Sequence, residues 1–502
     1  MKRKLAMLCA AATTAGAALV GAPVAASAEP AGSDLAWQRC SPDEPENFQC
    51  ATVTVPLDYA DPDGRTIDVT ISRLKAAESA KRKGVLLMNP GGPGASGLTL
   101  PLTTGSRLPQ EVKDSYDLIG FDPRGIGRST PISCGLEHGW SPMPFDPETF
   151  DQTVADTKEM ANACLSKQPD LLPFITTRNT ARDLDAIRTA LGERTISYFG
   201  ISYGTYLGAV FTEMFPDSVD KVVLDSSVDP ERVWRGMVQI WALGAERGFQ
   251  VFAEWAAERD AEYHLGESAD DVSALFRDLL TRLDREPVRL DGETVDGNVL
   301  RSEALSAGPT DDVNADYAEF LGRVRAAADG EPAARTGAAL KQAPAVPNRW
   351  QDEVPPDNSD SAFLAVVCGD AVWPRDVERY RRDAIQDGRR YPILGAVTSN
   401  IAPCAFWPEP REPATEVGEV DSEVLLVQNS HDSQTPIEGA ANLRELLGDN
   451  ARMALVDGSW EHGAYPGNCA DSVVTRYLMG DGLPEQDTTC QTAKPPVGGS
   501  GS

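Results

Sequence analysis

The chain has 502 residues, 41% hydrophobic and 24% charged, a balance that fits a globular protein with a sizeable core and sets aside disordered, collagenous and multispanning membrane classes. Its 46 basic residues are outnumbered by 76 acidic ones, a formal charge of −30, which argues against the phosphate neutralisation behind most nucleic-acid binding. Length alone allows about two to four domains, or an α/β enzyme carrying an insertion.

Met1 to Lys4 is positively charged, residues 5 to 22 are rich in Ala, Leu and Val, and Ala26-Ser27-Ala28 supplies a small-x-small site. The pattern predicts a secretory signal cleaved after about Ala28, leaving no membrane attachment. Thr13, Thr14, Gly16 and Pro23 dilute the apolar run and argue against an anchor. Removal takes away Lys2, Arg3, Lys4 and Cys9, so the charge moves from −30 to −33 and eight of nine cysteines remain. An even number in an exported chain points to disulfides. Spacing favours local closure as Cys40–Cys50, Cys134–Cys164, Cys368–Cys404 and Cys469–Cys490, one of about 105 connectivities open to eight cysteines. No CxxC pair occurs and the four histidines are scattered, so neither metal nor cofactor is expected.

Ala51 to Tyr59 and Thr66 to Ala76 alternate apolar and polar residues around Asp61-Pro62-Asp63-Gly64 and are predicted to form an antiparallel hairpin. Short apolar runs follow at Val85 to Met88, Asp117 to Phe121, Thr195 to Phe199, Lys221 to Leu224, Glu423 to Val427 and Arg452 to Val456. They suit strands buried on both faces of a mostly parallel sheet. Between two of them, Asn179 to Leu191 has helical spacing, with Asn179 or Thr180 as N-cap and Gly192 as the stop, which implies a right-handed crossover. From about 231 to 405 the pattern changes: Trp234 to Glu258 and Ala269 to Arg285 read as amphipathic helices with no regular strand alternation. The expected fold class is α/β, a mostly parallel twisted sheet with an N-terminal antiparallel hairpin and an inserted, mainly helical cap domain. The expected divisions are a signal at 1–28, core at 29–230, cap at 231–405, core at 406–493 and a flexible tail at 494–502. Pro344 to Asp360 is expected to be irregular.

Gly200-Ile201-Ser202-Tyr203-Gly204 is a G-x-S-x-G motif between an apolar strand and the helix-compatible run Thr205 to Met214. A strand-to-helix turn there projects Ser202 as a nucleophile, and flanking glycines remove Cβ atoms that would clash. Stabilising a tetrahedral oxyanion needs backbone N–H groups on an open loop, which Asn89-Pro90-Gly91-Gly92-Pro93-Gly94 supplies after Val85 to Met88. The expected donors are the amides of Gly92 and Tyr203. In this architecture acid and base follow the serine in that order, which removes His138; His264 falls in the helical insertion and reads as a surface residue. His431 and Asp432 follow the strand Glu423 to Val427, and His462 follows the next, so Asp432 is assigned as orienting acid and His462 as base. Asp421 and Asp457 are rival acids.

With these residues in place the chain resembles the proline iminopeptidase and tripeptidyl aminopeptidase family of α/β-hydrolases, serine exopeptidases often secreted by bacteria. The resemblance rests on Asn89 to Gly94, the D-x-R-G-x-G-x-S stretch Asp122 to Ser129, the elbow Gly200 to Gly204, and the C-terminal part with Asp432 and His462. It covers most of the chain beyond the signal. Two residues depart from it: many members have His where this chain has Asn89, and Trp where it has Tyr203. The resemblance implies an α/β-hydrolase fold, structural roles for Asp122 and Arg124, and removal of one residue or a short peptide from substrates with a free α-amine. An ammonium taken out of water requires a carboxylate, and Asp370 near the end of the insertion is the candidate. A secreted esterase or lipase with the same triad is the alternative, and a non-catalytic binding protein the third reading.

Overall fold

A computed structural model describes residues 35–136, 143–304, 311–331 and 354–492. The expected signal, the tail from 494, and His138 lie outside them. One ten-stranded sheet organises the core, and its first seven strands in chain order are β1 Gln38–Arg39, β2 Phe48–Pro56, β3 Thr66–Leu74, β4 Gly84–Asn89, β5 Tyr116–Phe121, β6 Ile196–Ile201 and β7 Val219–Asp225. A separate two-stranded ribbon follows, β8 Val288–Leu290 with β9 Glu293–Val295. The sheet is completed by β10 Val424–Asn429, β11 Ala451–Asp457 and β12 Thr488–Gln491. Its order is β1-β2-β3-β5-β4-β6-β7-β10-β11-β12, with β1, β2 and β3 joined antiparallel, β3 antiparallel to β5, and all other pairs parallel.

The parallel strands form because their residues are apolar on both faces: every residue of β4, β5 and β10 is buried. Helix Thr177–Ala190 crosses between β5 and β6, and helix Tyr203–Met214 between β6 and β7. The first of these begins earlier than its spacing predicts. Its N-cap is Thr176, whose hydroxyl accepts from the Asn179 amide, a contact contributing about 1 kcal/mol. Beneath it Arg124 and Asp183 form a fully buried ion pair, with further Arg124 donors satisfied by the Pro56, Leu57 and Phe174 carbonyls. Tyr59 adds a hydroxyl to Asp183. A buried pair is tolerated when its remaining groups are bonded in this way.

Between β7 and β10 the chain is mainly helical, with Arg235–Ala257, Ala269–Leu283, Asp311–Ala328, Asn358–Gly369 and Val377–Arg390 as its longer helices. The β8–β9 ribbon inside this region departs from the expectation of no strands there. Its cause is local: Asp291 and Gly292 both have positive φ, 52° and 91°, the two-residue turn that suits a hairpin. Helix Asn358–Gly369 likewise begins within the stretch expected to be irregular. All four cysteine pairs form as spacing indicated: Cys40–Cys50, Cys134–Cys164, Cys368–Cys404 and Cys469–Cys490. Each such crosslink stabilises by about 2–4 kcal/mol. Among the described residues no helix is long and apolar enough to cross a membrane.

Candidate active site

Strand β4 lies between β5 and β6, so successive connections leave it in opposite directions and open a crevice at the carboxyl edge of the sheet. The segments following β4, β6, β7, β10 and β11 all emerge at that edge. In that order these strand ends carry the glycine loop, Ser202, Asp225 (the last residue of β7), Asp432 and His462.

Ser202 sits at the junction of β6 and its helix with φ 58° and ψ −124°, a conformation costly for a residue with a side chain and held here by its surroundings. Its amide donates to the Asp225 carbonyl at 2.9 Å. Gly91 comes so close that an added Cβ would lie 2.5 Å from the Ile201 carbonyl oxygen and 2.8 Å from Ser202 Cβ. Gly91 and Gly92 have φ of 97° and 109°, which suit glycine alone. The loop is fixed from behind by Asp122, whose carboxylate accepts from Ser96 Oγ, the Gly97 amide and the Arg128 amide. Asn89 turns its side-chain oxygen to the Gly91 amide at 2.9 Å. Tyr203 opens the helix after the nucleophile, so its amide has no carbonyl within the helix to bond.

His462 Nδ1 bonds to Asp432 Oδ2 at 2.9 Å and Oδ1 at 3.1 Å. Asp432 is buried and oriented by three further donors at 2.9 Å, the amides of Gln434 and Thr435 and the Thr435 hydroxyl. Burial opposes charge on His462, but the Asp432 hydrogen bond and charge, with a contribution from Asp225, carry the imidazole above its ordinary value. Ser202 Oγ and His462 Nε2 are not hydrogen-bonded to each other; apo sites commonly close such contacts only on binding substrate. The two segments are nonetheless neighbours, since a Cβ on Gly463 would lie 3.9 Å from Ile201 Cγ2.

The other candidates fall elsewhere. His264 is exposed at the end of a short helix, and His431 is exposed and stacked on Trp460, 4.4 Å between ring centroids. Asp421 and Asp457 make no contact with His462; Asp457 accepts instead from Gln491. Asp370 is buried, accepting from the Thr177 amide at 2.8 Å, Thr177 Oγ1 at 2.6 Å and Trp234 Nε1 at 3.1 Å. Burial pushes its carboxyl up to about 6 against those bonds. It borders a cavity of about 280 Å³ whose lining includes Arg178, Tyr206 and Glu412 but neither Ser202 nor His462. Tyr203 joins the same group through its hydroxyl, 2.9 Å from Thr177 Oγ1, and its ring packs on Trp234. Sequence reasoning missed Asp225, Ser226 and the hydroxyl of Thr435, all of which bind the loops that carry the site. No group of His, Cys, Asp or Glu suited to a metal occurs among the described residues.

Comparison with known proteins identifies the family of the chain. A family model described as alpha/beta hydrolase fold matches residues 84–466. Tripeptidyl aminopeptidase of Streptomyces coelicolor is 34% identical over 488 residues, covering 94% of this chain and 88% of its own. Serine protease Hip1 of Mycobacterium tuberculosis is 29% identical over 491 residues, covering 91% of both chains. Carboxylesterase B of Mycobacterium tuberculosis is 29% identical over 508 residues, covering 94% of this chain and 91% of its own. The chain therefore belongs to the α/β-hydrolases, in the family of the tripeptidyl aminopeptidases, and is a serine hydrolase.

Proposed function

We propose that Ser202, His462 and Asp432 form a catalytic triad that removes short N-terminal peptides, of the tripeptidyl or prolyl type, from substrates with a free α-amine. The observation that carries this reading is the bidentate bond of buried Asp432 to His462 Nδ1, at the same sheet edge as a serine held at positive φ. Asp432 fixes the tautomer that leaves Nε2 to take the Ser202 proton as the hydroxyl attacks the carbonyl carbon. The tetrahedral oxyanion is received by the amides of Gly92 and Tyr203. As it collapses, His462 returns the proton to the leaving amine, and an acyl-enzyme remains on Ser202 until water attacks by the same route. The helical region 231–405 acts as a cap that limits access to peptide ends. Four disulfides and a leader-like N-terminus support a secreted enzyme whose signal is cut after about Ala28.

A second reading, secreted carboxylesterase, is favoured by the similarity to a protein named carboxylesterase B. A chromogenic tripeptide with a free amine, its N-acetylated twin and a short acyl ester separate the two. Preference for the free amine is expected; equal cleavage of free and acetylated peptides rejects the exopeptidase, and faster ester turnover favours the alternative. Asp370 is assigned to the ammonium on its buried carboxylate, and Asp370→Asn is expected to raise KM for the free-amine peptide alone. Equal loss with the acetylated peptide rejects that assignment and leaves Asp370 as a support for Trp234 and Thr177.

A further inference from the structure

Asp225 is the last residue of β7, with Ile201 of β6 and Val427 of β10 as its Cα partners on either side. It is completely buried and stands at the centre of the edge from which every site loop emerges. Its carbonyl receives the Ser202 amide at 2.9 Å. Its carboxylate receives the Ala464 amide at 2.7 and 2.9 Å and the Tyr465 amide at 2.7 Å. The next residue continues the pattern: Ser226 Oγ accepts from the Gly463 amide at 2.9 Å, while the Ser226 amide donates to the Val427 carbonyl at 2.9 Å. Three consecutive amides directly after His462 are therefore held by Asp225 and Ser226, and Asp225 also holds the amide of Ser202.

We infer that Asp225 is a positioning residue, a buried anion that sets the spacing between nucleophile and base and adds a second negative charge beside the imidazole. This rests on the triad reading given above. A carboxylate receiving backbone amides is oriented far more firmly than one facing water, because both the charge and the donors are removed from competing solvent. The charged groups acting on His462 are Asp432, on the loop after β10, and Asp225; the groups acting on Asp225 are His462, the Ala464 and Tyr465 amides, and the Ser226 hydroxyl, which donates to Asp225 Oδ1 at 3.2 Å. Burial lifts the Asp225 carboxyl to about 7, against the Ala464 and Tyr465 amides that favour its anion. Asparagine at this position keeps the shape, presents an NH₂ group to amide donors, and removes the charge.

The test is the rate at which a fluorophosphonate labels Ser202, followed against pH in the wild-type enzyme, Asp225→Asn and Ser226→Ala. For Asp225→Asn the plateau rate is expected to fall about tenfold or more, the cost of loosening a near-attack geometry. Its acid limb is expected to move down by about half a pH unit, because the imidazolium has lost a neighbouring anion. Ser226→Ala removes a neutral hydroxyl that accepts from the Gly463 amide and donates to Asp225 but leaves the Asp225 carboxylate in place, so labelling slows by a smaller factor and the limb stays near its wild-type position. A purely structural role for Asp225 would lower the rate without moving the limb, so an unmoved limb in folded Asp225→Asn overturns the inference. If Asp225→Asn fails to fold, Ser226→Ala decides: slower labelling supports the clamp and wild-type labelling overturns it. A wild-type enzyme left unlabelled at Ser202 rejects the triad reading instead, so the two failures are distinct.

Discussion

The carboxyl edge of the sheet and the helical region between β7 and β10 are held together by different forces. At the edge, buried carboxylates of Asp122, Asp225 and Asp432 each accept several hydrogen bonds, from nearby loop residues at Asp432 and from amides 239 and 240 residues later at Asp225. The helical region is built around a separate apolar cluster, with Phe249, Phe252, Phe276 and Leu321 at its heart, and its ion pairs are largely exposed, as in Arg282–Asp329. Apolar burial is strong but has no direction, whereas a buried hydrogen bond fixes angle as well as distance. Reacting groups need the second kind of support, and a wall that only shapes access can rely on the first.

The largest effects are therefore expected at the edge. Ser202→Ala should remove about 10⁴-fold or more of the turnover of a free-amine peptide while leaving the unfolding midpoint almost unchanged. Retained turnover in this variant would remove the serine from the mechanism. Asp432→Asn should cost about 10² to 10⁴-fold, since the imidazole loses both its tautomer control and its counter-charge. The raised His462 value places the acid limb of activity above the ordinary imidazole range, because the base must be neutral to act. In Asp432→Asn that limb should move to lower pH, and a wild-type rate would reject the acid assignment. Gly91→Ala places a Cβ 2.5 Å from the Ile201 oxygen, so the loop must move away from the nucleophile. We expect about 10²-fold lower turnover, with a loss of stability of about 2 kcal/mol, measured by denaturant unfolding.

A smaller effect separates buried from surface carboxyls by pH. Burial pushes Asp122 and Asp370 up to about 6 and Asp225 to about 7, whereas paired surface acids such as Glu412 and Glu438 are lowered by their arginines. A carboxyl whose folded value exceeds its ordinary value of 3.8 is favoured by folding in its protonated form. Its contribution is full below 3.8 and is lost as pH rises through about 6 to 7. His462, also raised, has the same sign. The unfolding midpoint should fall by about 3 °C or more between pH 5 and pH 8. An increase over that interval would mean that these carboxyls are not the groups that dominate.

What could be read from the chain, and what could not, follows the same division. The parallel strands were legible because burial on both faces leaves apolar runs, and the pairing of Asp432 with His462 because each follows its own strand. Strand β12, Thr488–Gln491, has no apolar signal; it is held by pairing to β11 and by the bond of Cys490 to Cys469. Nothing in the sequence around Asp225 signals its role, since the amides that define it lie 239 and 240 residues later. Spacing points to Asn179 or Thr180 as N-cap where the structure has Thr176, because apolar periodicity marks where a helix is buried and not where it begins. The ribbon at Asp291-Gly292 did carry a local signal, the Asp-Gly pair between Arg289-Leu290 and Glu293-Thr294, and was overlooked amid helical patterning.

The smallest expected effect sharpens the comparison by reversing its sign. Gly322 lies inside helix Asp311–Ala328, and a Cβ added there would meet nothing within 4 Å. Glycine in a helix interior costs about 0.5–1 kcal/mol relative to alanine, because the unfolded chain gives up more backbone freedom. Gly322→Ala should accordingly raise stability by about that amount and leave peptide turnover unchanged, read by denaturant midpoint and initial rate together. The same chemical change is thus expected to damage the enzyme at Gly91 and improve it at Gly322, since at the first position backbone packs against the nucleophile and at the second the space is empty. A destabilised Gly322→Ala would show that the helix needs glycine for a contact beyond its own turn, and the contrast between a directional edge and a tolerant helical region would fail at that point.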